Sequence, residues 1–463
     1  MSVPILIGVD IGTARVKALG LALDGSELAQ VEHATPWTRN GNQAEMDPGE
    51  LAALLQATVA AIPAEIARGD HEGIEVVAIG IAGMGEAGVL IDARGRPLAP
   101  ILAWHDPRGD VDAVRREIGE QAFQRAVGMR LNAQPSLAKI LWSQRASAEA
   151  ASAVRFLSLP EWAVYRLGGL PVSELSLASR TGLLDIGAMT PFAGAVALLG
   201  RDLLSETVTA GTAAGVANGD AVPASIRGAV LTVAGHDHQA AALAVGAARP
   251  GALFNSMGTA EALVRCVDGP LEPAAVGRLA AQGTTAGWGV VRGRYAVMEG
   301  LRTGLVLERV ASLLGAHDRA ARRLLGEEAH AVDLADIPPG LVVNDGDGGI
   351  ALGALADGLP PAAVWAAVVR DLTAASVRRL ERITAEVGPH TKVTVAGGWT
   401  RNAAVLAEKR RQFGEIEVSD LREAGATGAA LLAGVAAGIV ESPETDAAPW
   451  SERRVPRANS EVS

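Results

Sequence analysis

The same strand–turn–strand unit appears twice in this chain. Near the start, ILIGVDIGT is an apolar run rich in β-branched residues that breaks at Asp10-Ile11-Gly12-Thr13, resumes as VKALGLAL and turns at Asp24-Gly25. Apolar runs punctuated this way read as a hairpin with a polar, glycine-bearing mouth. From Ala252 the shape recurs: ALFNSMGTAEALVRCV puts Ser256, Gly258 and Thr259 where the first copy has Asp10, Gly12 and Thr13, and Asp268-Gly269 supplies the second turn. Two copies imply two related halves. Each mouth offers backbone N–H groups and a hydroxyl in a turn that glycine permits, which is the geometry that cradles phosphate oxygens. One such mouth is an ordinary β-turn; two facing each other would hold a polyphosphate.

Between and after the hairpins, strand-like runs alternate with helical ones. Residues 75–81 and 88–91 read as strands and 51–66 as an amphipathic helix, with Asp47 as N-cap, Pro48 at the first helical position and Glu50 as the carboxylate of a capping box. Further on, 362–387 and 401–413 read as helices on either side of a strand at 392–396. Such alternation predicts α/β domains with helices covering the sheets. At 463 residues and 49% hydrophobic content the chain suits two domains better than one. The boundaries are drawn at 1–247 and 248–440, with 441–463 as an aperiodic tail. The uncharged stretch 424–440 is short and rich in Ala and Gly, which predicts a buried helix and not a membrane span. A net charge of -11 leaves no basic footprint for nucleic acid or an anionic membrane. Cys266 is the sole cysteine, which excludes an intramolecular disulfide and a Cys-rich zinc site. With no cationic n-region at the N-terminus, the expected location is the cytoplasm.

Three places carry chemistry. LTVAGHDHQAA, from Leu231, ends an apolar strand in Gly235-His236-Asp237-His238-Gln239 before an Ala-rich helix. Polar residues at the C-terminal end of a strand lie where open α/β sheets bind ligands. Asp237 there can accept a hydroxyl proton during phosphoryl transfer, or simply cap the helix. His236 and His238 have no third His or Cys nearby and are expected to form hydrogen bonds, not to hold a metal. Asp10, at the first hairpin mouth, suits Mg²⁺ bound through water, or a strand-end turn. Glu86 follows Gly83-Met84-Gly85, whose glycines would let the backbone approach a ligand while the carboxylate reads hydroxyls; otherwise it is a solvated loop residue.

Taken in order, these residues resemble the FGGY carbohydrate kinases, a family that includes xylulokinases, glycerol kinases, fuculokinases and rhamnulokinases. Asp10-Ile11-Gly12-Thr13 is similar to the family's first phosphate motif, and Glu45-Met46-Asp47-Pro48 to the acidic segment after it. Gly80-Ile81-Ala82-Gly83 and Trp104-His105-Asp106-Pro107-Arg108 resemble the sugar-site segments, and Gly235-His236-Asp237 the segment with the catalytic base. Asn255-Ser256-Met257-Gly258-Thr259 resembles the second phosphate motif, and Gly397-Gly398-Trp399-Thr400-Arg401-Asn402 the adenosine motif. The resemblance implies an α/β fold of two actin-like ATPase (ribonuclease H-like) domains with a cleft between them. It implies ATP-dependent phosphorylation, with Mg²⁺, of a hydroxyl on a small sugar such as a pentulose or deoxyketose, or on a polyol. By position, Asp237 would be the base and Asp10 would organise Mg²⁺. Gly12, Thr13, Gly258 and Thr259 would contact phosphates. Gly397, Gly398 and Asn402 would line the adenosine site with Gly304 beside them, and Glu86, Trp104, Asp106 and His238 would face the substrate. The expected partner is the small-molecule sugar or polyol, neither nucleic acid nor membrane, with a homodimer left open.

Departures from the family wording matter as much. Gly85-Glu86 stands where xylulokinases carry Met-His and glycerol kinases carry Arg-Glu, so the resemblance leaves the sugar unnamed. Trp399 replaces the third adenosine glycine, where an indole would crowd the base or stack on it. The stretch 337–353 is shorter than its family counterpart and lacks its Gly-Glu-Arg wording. A non-catalytic ATP-binding regulator and a mechanical actin-like ATPase share the implied fold. Asp10 together with Asp237, and the sugar-type segment from Trp104 to Arg108, favour a kinase over both.

Overall fold

The computed structural model describes residues 3–69, 73–335, 337, 342–344, 350–353 and 358–441. In chain order the elements that position the site are strands β1 (Val3–Ile11), β2 (Arg15–Ala22) and β3 (Glu27–Ala34), helix α1 (Pro48–Ala67), strands β4 (Ile74–Gly83), β5 (Ala213–Val216) and β6 (Val230–His236), and helix α2 (Asp237–Ala244). There follow strands β7 (Ala252–Met257) and β8 (Glu261–Asp268), helices α3 (Thr303–Leu313) and α4 (Pro361–Val387), strand β9 (Lys392–Ala396), helix α5 (Ala403–Phe413), strand β10 (Glu417–Val418) and helix α6 (Ala424–Ala436). They fall into two compact units. The first comprises Met1–Ala248, Asp268–Ala296 and Glu423–Ser463; the second comprises Arg249–Val267 and Val297–Arg422. The opening segment of the first unit ends one residue past the division drawn from sequence, whereas Asp268–Ala296 and α6 belong to the first unit and not with 248–440. The tail from Ser442 onward and most of 337–353 lie outside the described residues.

The first unit's sheet runs β5-β6-β4-β1-β2-β3. β6, β4 and β1 are parallel, while β1, β2 and β3 form an antiparallel meander. Why β1 reads as an unbroken apolar run is visible in its two faces, since a strand covered on both sides needs no polar alternation. Ile5, Ile7, Val9 and Ile11 enter the core that Leu51, Leu55, Val59, Ile62 and Ile66 of α1 complete, while Leu6 enters a second core with α2 and α6. α1 is long and apolar enough to cross a membrane by composition, and here its apolar face is a wall of that first core. Its start follows the sequence in part. Asp47 Oδ1 accepts the N–H groups of Gly49 and Glu50 at 2.7 and 3.0 Å. The return bond of a capping box does not form, because the Glu50 side chain is exposed and contributes only its charge to the first turn.

Helix α6 lies backbone to backbone on this sheet. A Cβ on Gly8 would sit 1.9 Å from Ala426 O, one on Gly80 2.0 Å from Ala429 O, and one on Gly428 2.0 Å from Ala240 O of α2. Of the stretch 424–440 expected to form a buried helix, Ala424–Ala436 does so, in this position. The second unit repeats the strand pattern: β7 is antiparallel to β8 and parallel to β9, as β1 is to β2 and β4, and the order continues β8-β7-β9-β10. Val306, Leu307 and Val310 of α3, Trp365 and Val368 of α4 and Val405 of α5 share one of its cores. Close contact at Gly428 predicts that Gly428→Ala lowers stability by about 1–3 kcal/mol through overpacking. Gly187→Ala, where the nearest group beyond its neighbours is 3.5 Å from the added carbon, should change it by less than about 0.5 kcal/mol. Urea unfolding of the two variants measures both.

Candidate active site

Three parallel strands end side by side in the first unit and each delivers a group to the same edge. In register, Asp10 lies opposite Ala82, and both Ile11 and His236 lie opposite Gly83. Gly235 turns β6 into α2 with φ +83, and a Cβ there would lie 2.5 Å from Ser176 Oγ, so only glycine fits. Ser176 Oγ accepts the His236 N–H at 3.0 Å and donates to the buried Glu174 Oε2 at 2.5 Å, which fixes the turn from beneath. Asp237 is the first residue of α2, and its side chain is 19% exposed. Its Oδ1 accepts the His238 N–H at 2.6 Å and lies 2.8 Å from His236 Nδ1.

The two carboxylates at this edge are driven apart in proton affinity. Burial pushes the Asp237 carboxyl up, but the His238 and His236 rings, the His236 hydrogen bond and the His238 N–H outweigh it and hold it well below the usual carboxylate range. Burial, helped by His236 and Arg180, pushes the His238 imidazole down against the pull of Asp237 and Glu86. Asp10 has no such support. Among the described residues its Oδ1 is buried without a hydrogen-bond partner, and burial, then the charge of Asp237, push its carboxyl up to about 8 against the pull of Lys17. Lys17 is itself tied to Glu423 Oε2 at 2.6 Å. An unpartnered carboxylate oxygen beside a second carboxylate is the kind of donor set a hard cation completes, so these residues fit Mg²⁺. At the adjoining hairpin mouth, Gly12 N–H donates to Arg15 O at 3.0 Å and Thr13 Oγ1 accepts the Trp104 indole N–H at 2.9 Å. Among the described residues the Thr13 proton meets Met84 Sδ, a weak acceptor, at 4.0 Å.

Glu86 adopts φ +60, a region that non-glycine residues enter rarely and mostly at constrained sites. The solvated loop expected as its alternative is absent: the side chain is buried, with Oε1 accepting Gln134 Nε2 at 3.1 Å and paired with Arg180 Nη2. The glycines before it make room for protein and not for a ligand. A Cβ on Gly83 would lie 2.9 Å from Ile11 Cβ, and one on Gly85 3.1 Å from Arg180 Cγ. Lys139 Nζ donates to the carbonyls of Trp104, Ala133 and Gln134 at 3.2, 2.7 and 2.5 Å, so one buried ammonium fixes two loops; burial pushes it down to about 8. Asp106 is buried and fully engaged. Its Oδ1 accepts Arg108 N–H and Nε at 2.9 Å, and its Oδ2 accepts Ala44 N–H and Arg108 Nη2 at 2.8 Å. His238 stacks on His236 with ring centroids 5.8 Å apart.

In the second unit, Gly258 N–H donates to Ala260 O at 3.1 Å and closes the other hairpin mouth, which also carries Thr259. A Cβ on Gly304 would lie 2.0 Å from Gly258 O, and one on Gly397, at φ +111, 2.5 Å from Met257 O. Gly304 and Gly397 are therefore glycines because the hairpin backbone rests on them. Gly398 faces open space. Asn402 spends its side chain on the protein, accepting Val405 N–H at 3.2 Å and donating to Arg322 O at 2.9 Å, which caps α5. Trp399 tilts against Trp365, with ring centroids 5.9 Å apart.

The model of the FGGY family of carbohydrate kinases, N-terminal domain, matches residues 5–244. The chain belongs to the FGGY family of carbohydrate kinases. A xylulose kinase from Streptomyces coelicolor is 29% identical over 444 residues, covering 93% of this chain and 87% of that protein. A glycerol kinase from Aromatoleum aromaticum is 29% identical over 488 residues, covering 97% and 93%. Among solved structures, a xylulose kinase from Rhodospirillum rubrum superposes with a TM-score of 0.81 at 22% identity over 96% of this chain and 92% of that one. Plasmodium falciparum glycerol kinase with ADP superposes with a TM-score of 0.83 at 17% identity over 97% and 93%. These likenesses give this FGGY kinase the two-domain actin-like ATPase fold, and membership makes it an enzyme that phosphorylates a sugar or polyol with ATP. The regulatory and mechanical alternatives are not favoured.

Arg180, Gln134 and Lys139 are the residues sequence reasoning missed here. A lone Arg in SLASRTGLL and a lone Lys in SLAKILW were the available clues, since a charge in an apolar run must find a partner. The state of Asp10 gives a test without any substrate. An unfolded Asp releases its proton near 3.8 and folded Asp10 only near 8, so this group's contribution is intact below 3.8 and lost as pH rises toward 8. The metal-free FGGY kinase should weaken over that range. Asp10→Asn should flatten the slope by at least about 1 kcal/mol, leaving the shares of Glu161 and Glu174, which burial also pushes up. Urea midpoints measured from pH 4.5 to pH 8 check it.

Proposed function

We propose that Asp237 takes the proton of the acceptor hydroxyl as the γ-phosphoryl group of ATP passes to that hydroxyl's oxygen and ADP leaves. The observation that carries this reading is a carboxylate kept ionised by His236 and the His238 N–H, partly exposed, at the carboxyl edge of a parallel sheet where such folds bind ligands. An ionised carboxylate within reach can accept the proton; a residue that only capped α2 would not need a buried serine and glutamate beneath its turn. Asp10 would hold Mg²⁺, and the metal when bound supplies charge that offsets the phosphates. Gly12 and Thr13 from the first mouth and Gly258 and Thr259 from the second would contact phosphates. Gly397 and Gly398 would line the adenosine site, with Gly304 and Asn402 shaping it from behind. Trp104, Glu86 and His238 would face the acceptor, with Asp106 acting through Arg108.

The acceptor is a neutral ketose, with a pentulose first, or a polyol. The xylulose and glycerol kinase relatives support this over nearly the whole chain. Charge supports it too: Asp237 is ionised and the Arg180 guanidinium is already paired with Glu86, so a sugar acid would bring a further anion beside an existing one. The cytoplasm is the expected place, and a buried lone thiol at Cys266 suits a reducing compartment.

An ATP-coupled screen over pentuloses, deoxyketoses, polyols and aldonates tests the reading, and equal turnover of an aldonate and a ketose would sink the neutral-acceptor part of it. Asp237→Asn should lower kcat by about 10²–10⁴-fold while ATP still binds, because an amide keeps the shape but accepts no proton. Turnover near that of the wild type would return Asp237 to the role of a helix cap. Glu86→Ala should depress kcat/KM for the acceptor about tenfold or more with the KM for ATP unchanged, since one charge-assisted bond is worth at least that factor.

A further inference from the structure

β8 is an apolar strand with a carboxylate at its first position. Glu261 is 1% exposed and lies opposite Met257, with the Gly258-Thr259-Ala260 turn between them. A carboxylate removed from water needs partners that replace its hydration. Glu261 has them from four elements. Oε1 accepts Asn255 Nδ2 of β7 at 2.9 Å and Lys409 Nζ of α5 at 2.5 Å. Oε2 accepts the Ser376 hydroxyl of α4 at 2.8 Å, and the Thr303 hydroxyl at the start of α3 also donates to the carboxylate. Lys409 is 1% exposed as well, with Nζ 4.5 Å from the Phe413 ring centroid, so neither charge has water to fall back on.

These partners are attached to the nucleotide segments. The β7–β8 turn carries Gly258 and Thr259. Thr303 immediately precedes Gly304, which lies under the Gly258 carbonyl. α5 begins directly after the Gly397–Asn402 turn, whose own first glycine abuts Met257. We infer that the buried Glu261–Lys409 pair sets the phosphate hairpin and the adenosine turn in register with one another, which makes Glu261 a positioning residue for ATP. An apolar pair could bury the same area, but it would not fix direction; a carboxylate accepting several charge-assisted or neutral hydrogen bonds from different elements fixes where each one sits. The inference rests on the reading of these segments as the nucleotide site.

Glu261→Gln and Lys409→Met in the full chain test it by steady-state kinetics. Each should raise the KM for ATP about tenfold or more and leave the KM for the acceptor within about twofold, because small displacements of a binding segment weaken what that segment holds. The double variant, with no unpaired charge left, should recover thermal stability but not ATP affinity. Folded variants with a lowered Tm and an unchanged KM for ATP would overturn the inference and leave the pair as a core fastener. Should the charge variants fail to fold, Ser376→Ala removes one neutral hydrogen bond on Oε2 and should still raise the KM for ATP about two- to fivefold; no rise in that variant would overturn it equally. Calorimetric titration of the wild-type protein with ATP keeps the two readings apart: no binding there removes the nucleotide reading itself, whereas normal binding with indifferent variants removes only the positioning role.

Discussion

The contact between the α6 backbone and the glycines of β1 and β4 is what the first unit's chemistry depends on. Gly8 and Gly80 admit the carbonyls of Ala426 and Ala429, and no side chain of any size could stand between them. That approach brings the first turn of α6 to the end of β1, where a Cβ on Gly425 would lie 2.5 Å from Asp10 Oδ2. It also lays Gly428 on Ala240, which seats α2 and thereby Asp237. Two carboxylates from distant parts of the sequence are thus fixed by one helix made almost wholly of Ala, Gly and Leu. Its composition follows from its place: larger residues would lift it from the sheet and move both acids.

Once so fixed, the two acids cannot behave alike. Carboxylates that feel one another and are partly withdrawn from water resist ionising together, and the neighbours decide which one yields. The His238 and His236 rings, the His236 hydrogen bond and the His238 N–H favour ionised Asp237, while burial and the charge of Asp237 raise the proton affinity of Asp10, whose Oδ1 has no hydrogen-bond partner among the described residues. An acid held ionised is able to accept a proton, while an acid that awaits compensation is suited to a cation. The roles proposed for the two acids, base and metal holder, rest on this difference in their hydrogen bonds.

Much of this was legible in the sequence, for identifiable reasons. The hairpins, the strand at Ile74–Gly83 and the end of β6 at Gly235-His236-Asp237 announce themselves through runs of apolar residues broken by glycine and acid, a local pattern. Asp47 as N-cap was legible because capping is settled within a turn, and Glu50 misled because the same residue can satisfy a motif and still face water. What was not legible is non-local. Nothing in the wording of Gly85 discloses that Arg180, far along the chain, fills the space beside it and pairs with Glu86. Asp106 sits beside Arg108 in WHDPR, and only the fold shows that Ala44 N–H, 62 residues back, closes its Oδ2. The return of α6 to the first unit escaped for the same reason, since no linker composition marks a chain that crosses back.

The two hairpins, alike in strand pattern, hold their mouths by different means, and the difference separates their roles. In the first copy Asp10 is opposite Lys17, and the turn is gripped from outside: Thr35 donates to Gly12 O, Trp37 to Thr13 O and Trp104 to Thr13 Oγ1. None of these bonds reaches its strand-end carboxylate, whose Oδ1 has no hydrogen-bond partner among the described residues. In the second copy Ser256 is opposite Ala262, a neutral pair, and the charge has moved to Glu261, where it is consumed by Lys409, Asn255 and Ser376. One mouth leaves its acid open and is braced by neutral side chains; the other gives its acid to bracing and offers backbone N–H groups and the Thr259 hydroxyl. A duplicated element can differ in this way because the hairpin specifies only where N–H groups point, and the position of a single carboxylate, at the strand end or just past the turn, decides whether that acid stays open or is spent on bracing the turn.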